Sequence, residues 1–204
     1  MHPFIALVLA YLFGSIPTAF IVGKVFGGID LRRHGSGNLG ATNVLRVMGW
    51  KYAIPVFLVD IAKGALPVFF LASWTTVGSK GVWAVAYGIA AVLGHVLPVF
   101  LKWRGGGKGV ATATGVFLAL AAVPTLVAMG LFVLVVYFSG YVSLASLSAA
   151  LALPTAILIL REGIGSPIFV ASAIVCVFVF WTHRANIARL RRGEEHRLGR
   201  KPSA

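Results

Sequence analysis

Acid is scarce in this chain. Its 204 residues hold five Asp and Glu against eighteen Lys and Arg, a net charge of +13. Charged residues make up 11% of the chain, whereas a soluble domain carries about 25%. Cysteine is nearly absent. Cys176 stands alone inside an apolar run, which excludes a disulfide framework and a Cys-rich metal site and leaves it a small packing residue. Five carboxylates without paired His/Asp spacing give no metal site, and no cofactor is expected. The excess of positive charge does not point to nucleic acid, because it lies in loops and a tail flanking apolar stretches and builds no basic face. A basic leader segment before the first apolar run is lacking, so residues 3–23 do not read as a signal peptide.

Hydrophobic residues make up 59% of the chain, and they come in runs: 3–23, 52–74, 82–101, 110–138, 143–160 and 167–182. Crossing about 30 Å of hydrocarbon takes about 20 residues in a helix, so the runs predict an all-α integral membrane protein. There is no internal repeat, and residues 1–204 read as one domain with a basic tail at 184–204. Run 110–138 is too long for one ordinary span and short for two. Charge arbitrates. One crossing divides the Lys and Arg of the loops nine against eight, whereas two crossings, turning near Pro124, divide them fifteen against two. The excess of basic residues on cytoplasmic loops therefore predicts seven transmembrane helices. The N-terminus is then outside, the C-terminus cytoplasmic, and the two central helices short.

The polar segments on the basic side carry the chemistry. In Gly35-Ser36-Gly37-Asn38-Leu39-Gly40-Ala41-Thr42-Asn43-Val44-Leu45-Arg46, glycines let successive N–H groups turn toward one point. Ser36, Asn38, Thr42 and Asn43 add neutral donors, and Arg46 adds a planar cation. Donors without an acid suit a phosphate; the alternative is a flexible interhelical loop. Arg104-Gly105-Gly106-Gly107-Lys108-Gly109 leads into Val110-Ala111-Thr112, with a helix N-terminus predicted at Val110. It is not a nucleotide P-loop, because Lys102 and Gly109 stand where Gly and Ser/Thr are required. A glycine nest with a lysine at a helix N-terminus still makes an anion site, the alternative being anchoring at the membrane edge.

Ser143 reads as a helix N-cap. His183 and Asn186, three apart, share a face at the cytoplasmic boundary, as part of a site or as a polar collar. Asp60 and Lys63, also three apart, predict an ion pair inside a span, with His95 as a second intramembrane polar group. All three could support a site or a purely structural network. Two chemistries are missing. A CDP-alcohol phosphotransferase needs clustered aspartates, and a soluble-type glycerolipid acyltransferase needs His with Asp five residues later; neither occurs.

Taken together, the loop 35–43, the stretch Gly106-Gly107-Lys108-Gly109-Val110-Ala111-Thr112, and His183-Arg184-Ala185-Asn186-Ile187 resemble the bacterial membrane acyl-phosphate:glycerol-3-phosphate acyltransferases, the PlsY family. The likeness takes in Gly14-Ser15, Asp60 with Lys63-Gly64, Gly94-His95 with Pro98, and Tyr141 to Ser146. The resemblance implies a seven-helix enzyme of the bacterial inner membrane whose active site faces the cytoplasm. Its partners are the bilayer, acyl-phosphate and glycerol 3-phosphate, and its products lysophosphatidic acid and phosphate. It implies catalytic work by Ser36, Lys108, Ser143, His183 and Asn186. Gly37, Asn38, Gly40, Thr42, Asn43, Arg46, Gly106, Gly107 and Thr112 would bind substrate, with Asp60, Lys63 and His95 in support. The rival expectation is a small transporter of phosphate-bearing metabolites, its glycine loops serving as broken-helix sites.

Overall fold

The computed structural model describes residues 1–160 and 163–198. Arg161, Arg200 and Lys201, which enter the charge division, lie outside them. The described residues form helices and connecting turns, with no strand among them. They divide into two units, residues 1–120 and 121–204.

The first unit opens with α1 (Pro3–Gly14) and α2 (Thr18–Gly27), together one apolar stretch of 25 residues. The stretch is broken where hydropathy shows no interruption. Pro17 has no N–H and disfavours helical geometry at Ile16, and Ser15 Oγ donates back to Tyr11 O at 2.8 Å. After a 3₁₀ turn at Leu31–Arg33 comes the short α3 (Ala41–Met48). α4 (Trp50–Leu66) continues through a π-helical turn, Pro67–Leu71, into α5 (Ala72–Trp74). Then follow α6 (Lys80–Val96), a 3₁₀ turn at Val99–Leu101, and α7 (Val110–Leu120).

Small residues set the packing of this unit. A Cβ on Gly14 would strike the Ala91 carbonyl and one on Gly94 the Tyr11 carbonyl, so α1 and α6 meet backbone to backbone. Gly64 and Gly115 do the same for α4 and α7, against Thr112 O and Ile61 O. Close approach through small residues is how apolar helices associate where water supplies no driving force.

The second unit holds α8 (Ala122–Ser139), α9 (Val142–Leu160), α10 (Pro167–Thr182) and α11 (Arg184–Arg192). Ser166 caps α10 by accepting from Phe169 N–H at 3.1 Å. At His183 the chain bends by 57° into α11, which ends at Gly193 with φ 71°.

Run 110–138 is divided, at Ala121 (φ −149°, ψ 73°), three residues before Pro124. The halves are unequal. α7 has 11 residues and is short, but α8 has 18 and is long enough to cross a membrane. Only one of the two central helices is therefore short. Among the described residues, five helical stretches are long and apolar enough to span, and a sixth if the bent pair α10–α11 counts as one.

Candidate active site

In the first unit, loop 28–40 is anchored rather than loose. Leu31, Leu39 and Val44 are buried with Ala19, Ala53 and Val56 in one apolar cluster. Burying a leucine contributes roughly 2 kcal/mol, so the leucines hold the polar stretch between them in place. Asn43, 2% exposed, is the polar pin. Its Oδ1 accepts from Ser36 N–H at 2.8 Å, and its Nδ2 donates to Leu31 O at 3.2 Å and His34 O at 3.0 Å. Gly35 sits at φ 60°, where a side chain would strike Asn43 Oδ1. The Asn43 amide thus faces the loop's own backbone. Ser36 and Arg46 are exposed, while Gly37, Asn38, Gly40 and Thr42 are half-buried.

The second glycine run lies against the C-terminal end of α6. Gly107 N–H donates to His95 O at 3.1 Å, and a Cβ on Gly106 would strike the Val96 carbonyl. The run also meets the first loop, since a Cβ on Gly105 would lie 2.6 Å from Arg32 Cδ. Arg32 is held by Asp30, its Nη2 donating at 2.7 Å, and stacks 4.9 Å over Phe20. The Arg32 hydrogen bond keeps the Asp30 carboxyl at about 2, well below the ordinary carboxylate range. Lys108, half-buried, stands two residues before α7. Thr112 is fully buried in the first turn of α7, and its Oγ1 has no hydrogen-bond partner among the described residues. The predicted pair of Asp60 and Lys63 forms, at 2.8 Å, with His95 Nδ1 3.8 Å from the same carboxylate oxygen. The two glycine loops and the intramembrane polar residues therefore belong to one unit.

Ser143, His183 and Asn186 belong to the other, and all three are buried. His183 Nδ1–H donates to Val179 O at 2.8 Å. A carbonyl can only accept, so the neutral ring carries its lone pair on Nε2. The backbone orients this histidine, where the sequence offered no neighbouring acid to do so. Asn186 Nδ2 donates to Glu195 Oε1 at 2.6 Å, and Arg189 Nε to Glu195 Oε2 at 2.7 Å. Burial pushes the Glu195 carboxyl up, but the hydrogen bonds of Asn186, Arg189 and Ser143 and the Arg189 charge outweigh it, and the group ends below its ordinary range. Ser143 does not cap. α9 begins one residue earlier, and its Oγ accepts no N–H; it is buried without a hydrogen bond of full geometry, facing Glu195. Sequence reasoning missed Glu195. The available signal was a pair of acids, Glu194 and Glu195, in a tail that is otherwise basic.

The model of the family described as glycerol-3-phosphate acyltransferase matches residues 4–193. The chain belongs to that family. Among its relatives, the glycerol-3-phosphate acyltransferase of Synechococcus sp. (strain CC9902) is 46% identical over 195 residues, covering 96% of this chain and 94% of the relative. That of Prochlorococcus marinus (strain NATL2A) is 43% identical, covering 95% and 96%. A crystal structure of PlsY (YgiH), an integral membrane glycerol 3-phosphate acyltransferase, in its glycerol 3-phosphate form superposes with a TM-score of 0.88. The two are 36% identical, over 97% of this chain and 96% of that one. Its lysophosphatidic acid form gives 0.85 at 35% identity. The resemblance read from the motifs is thereby established, and the chain is a membrane acyltransferase acting on glycerol 3-phosphate rather than a transporter.

Proposed function

We propose that the chain transfers an acyl group from acyl-phosphate to the 1-hydroxyl of sn-glycerol 3-phosphate, giving lysophosphatidic acid and inorganic phosphate. The observation that carries this reading is the second glycine run, backed onto α6 and set beside Arg32, with Lys108 two residues before the start of α7. A glycine nest, an ammonium and a helix N-terminus form a receptor for phosphate. Both substrates carry one.

Ser36, Lys108, Ser143, His183 and Asn186 serve the chemistry. Gly37, Asn38, Gly40, Thr42, Arg46, Gly106, Gly107 and Thr112 shape the phosphate sites, and Asn43 supports them by fixing the first loop. The glycerol oxygen attacks the acyl carbon, and the bond from that carbon to the phosphate oxygen breaks. The hydroxyl proton passes to a phosphate oxygen of the donor, so the leaving group acts as the base. Preorganised donors hold the carbonyl oxyanion. With His183 Nδ1–H on Val179 O, His183 donates to phosphate through Nε2 as the charged ring.

The protein sits in a bacterial inner membrane with seven spans, its N-terminus outside and its tail and active site cytoplasmic. The fifteen-to-two division of basic residues supports this, as does the break at Ala121 that makes α7 a separate short element.

The test is product formation by the purified protein from labelled glycerol 3-phosphate. Acyl-phosphate gives lysophosphatidic acid and acyl-CoA gives none; comparable product from acyl-CoA overturns the donor assignment. His183→Gln, which keeps a donor but no titratable base, retains measurable turnover. A folded, substrate-binding but dead variant makes His183 the base.

A further inference from the structure

A line of buried polar groups outside the reacting set runs through the first unit. Lys63 Nζ donates to Ile16 O at 3.0 Å, at the break in the first apolar stretch. The same ammonium lies 2.8 Å from Asp60 Oδ1, and His95 Nδ1 lies 3.8 Å from that oxygen. The opposite side of the His95 ring, at Nε2, faces Gly107 so closely that a Cβ there would strike it. Asp60, Lys63 and His95 are 1%, 2% and 7% exposed.

Stability alone does not explain this line. Removing two charges from water costs several kcal/mol per ion, and apolar residues of similar volume often serve as well. Nor is the network a saturated one. Asp60 Oδ1 has no donor in hydrogen-bond geometry among the described residues, so its contact with Lys63 is one of charge. What the line does is back one ring from both sides, Asp60 Oδ1 standing 3.8 Å from Nδ1, beyond hydrogen-bond distance, and Gly107 resting against Nε2. Gly107 N–H is fixed on the His95 carbonyl, and its α-carbon rests on the His95 ring. Gly107 does not have a positive φ, so the ring, not the backbone, refuses a side chain there.

We infer that His95, held by the Asp60–Lys63 pair, is a positioning residue that fixes the path of the glycine run and so the location of Lys108. His95 acts through the loop and touches neither substrate. The inference rests on the reading of Lys108 as a phosphate-binding cation.

The experiment is a double-mutant cycle on the full chain in detergent, with KM for glycerol 3-phosphate and for acyl-phosphate, and kcat, read separately. Gly107→Ala should raise KM for at least one of them about tenfold or more, with a smaller change in kcat. Adding His95→Ala should relieve the clash, so that the double variant matches His95→Ala alone instead of showing the product of both losses. Asp60→Asn, which keeps shape but leaves the buried Lys63 ammonium without its counter-charge and so lowers the melting temperature, should raise the same KM with a smaller change in kcat when assayed well below that temperature. If Gly107→Ala does not accumulate as folded protein, recovery of folded protein in the double variant reads the same coupling. Independent losses, no recovery, or an unchanged KM in Asp60→Asn overturns the inference. Lys108→Ala is measured alongside. If it leaves both KM values unchanged, the phosphate-site reading itself fails; if it raises one while the His95 and Asp60 variants do not, only the positioning role fails.

Discussion

Asn186 donates to Glu195 across nine residues of sequence, at 2.6 Å, and this bond folds the polar tail back onto α11. Arg189 closes the clamp on the second carboxylate oxygen. Further along, Arg197 Nε donates to the Tyr141 hydroxyl at 2.9 Å and Leu198 N–H to Gly140 O at 2.8 Å, so the tail also reaches the turn before α9.

Glu195→Ala should therefore cost roughly 2 kcal/mol of stability, by removing the acceptor from the buried Asn186 amide and the half-buried Arg189 guanidinium, read as a lower melting temperature. The wild-type clamp has a pH signature. Because the folded carboxyl lies below its ordinary range, its contribution is complete above the unfolded value near 4.5 and is lost as pH falls through the folded value. Melting temperatures of wild type and Glu195→Gln should differ at neutral pH and converge in acid; a constant gap would contradict the assignment.

Asn43→Ala should lower activity through the loop. Three backbone groups lose their partner, so amide exchange at residues 31–36 should speed up by at least about tenfold, each lost bond being worth about 1 kcal/mol or more. Asn43→Asp keeps the acceptor for Ser36 N–H but loses both donors, and should recover only part of the protection. Normal exchange with lost activity would make Asn43 a direct substrate ligand.

Arg46→Ala and Lys108→Ala should each raise the KM for an anionic substrate and lower turnover, since each removes a phosphate-binding cation. Lys108→Arg should not restore full activity, because a planar fork does not replace a compact ammonium in a glycine nest. Steady-state kinetics with each substrate varied in turn decides this, and wild-type parameters for Lys108→Ala would take it out of the site.

Cysteines introduced singly at His34, Arg104 and Leu198, in a Cys176→Ala background, should react with an impermeant maleimide only from the cytoplasmic face. Labelling of position 198 from outside, with the loops labelled from inside, would leave an odd number of crossings between them and would end the seven-span proposal.

Much of this was legible in the sequence because membrane physics writes it there. Apolar runs longer than about 18 residues announce spans, and α7 begins at Val110 as the glycine run implied. The break at Ser15 to Pro17 was not legible, since hydropathy averages over a proline whose neighbours are all apolar. The helix Ala41–Met48 was hidden inside a motif whose glycines read as loop. Residue types suited to phosphate could be named from composition, but their partners could not. The Gly107–His95 contact depends on where the chain returns after α6. The clamp on Asn186 depends on a tail whose basic composition masked its one inward-turning acid. Ser143 looked like a cap because serine before an apolar run usually is one; its burial beside Glu195 is a tertiary fact.

Four glycines bear on how a saturation-mutagenesis map of this protein would look. Gly14, Gly64, Gly94 and Gly115 each press on a main-chain carbonyl of the facing helix, and a carbonyl cannot swing aside as a side chain can. Every substitution at these positions separates two helices. In such a map they would be as blank as Lys108, though no substrate comes near them on this reading. Intolerance alone would therefore draw two sites, one chemical and one made only of helix contact. Measuring abundance beside activity at every position would tell them apart, the glycines losing both and Lys108 only the second.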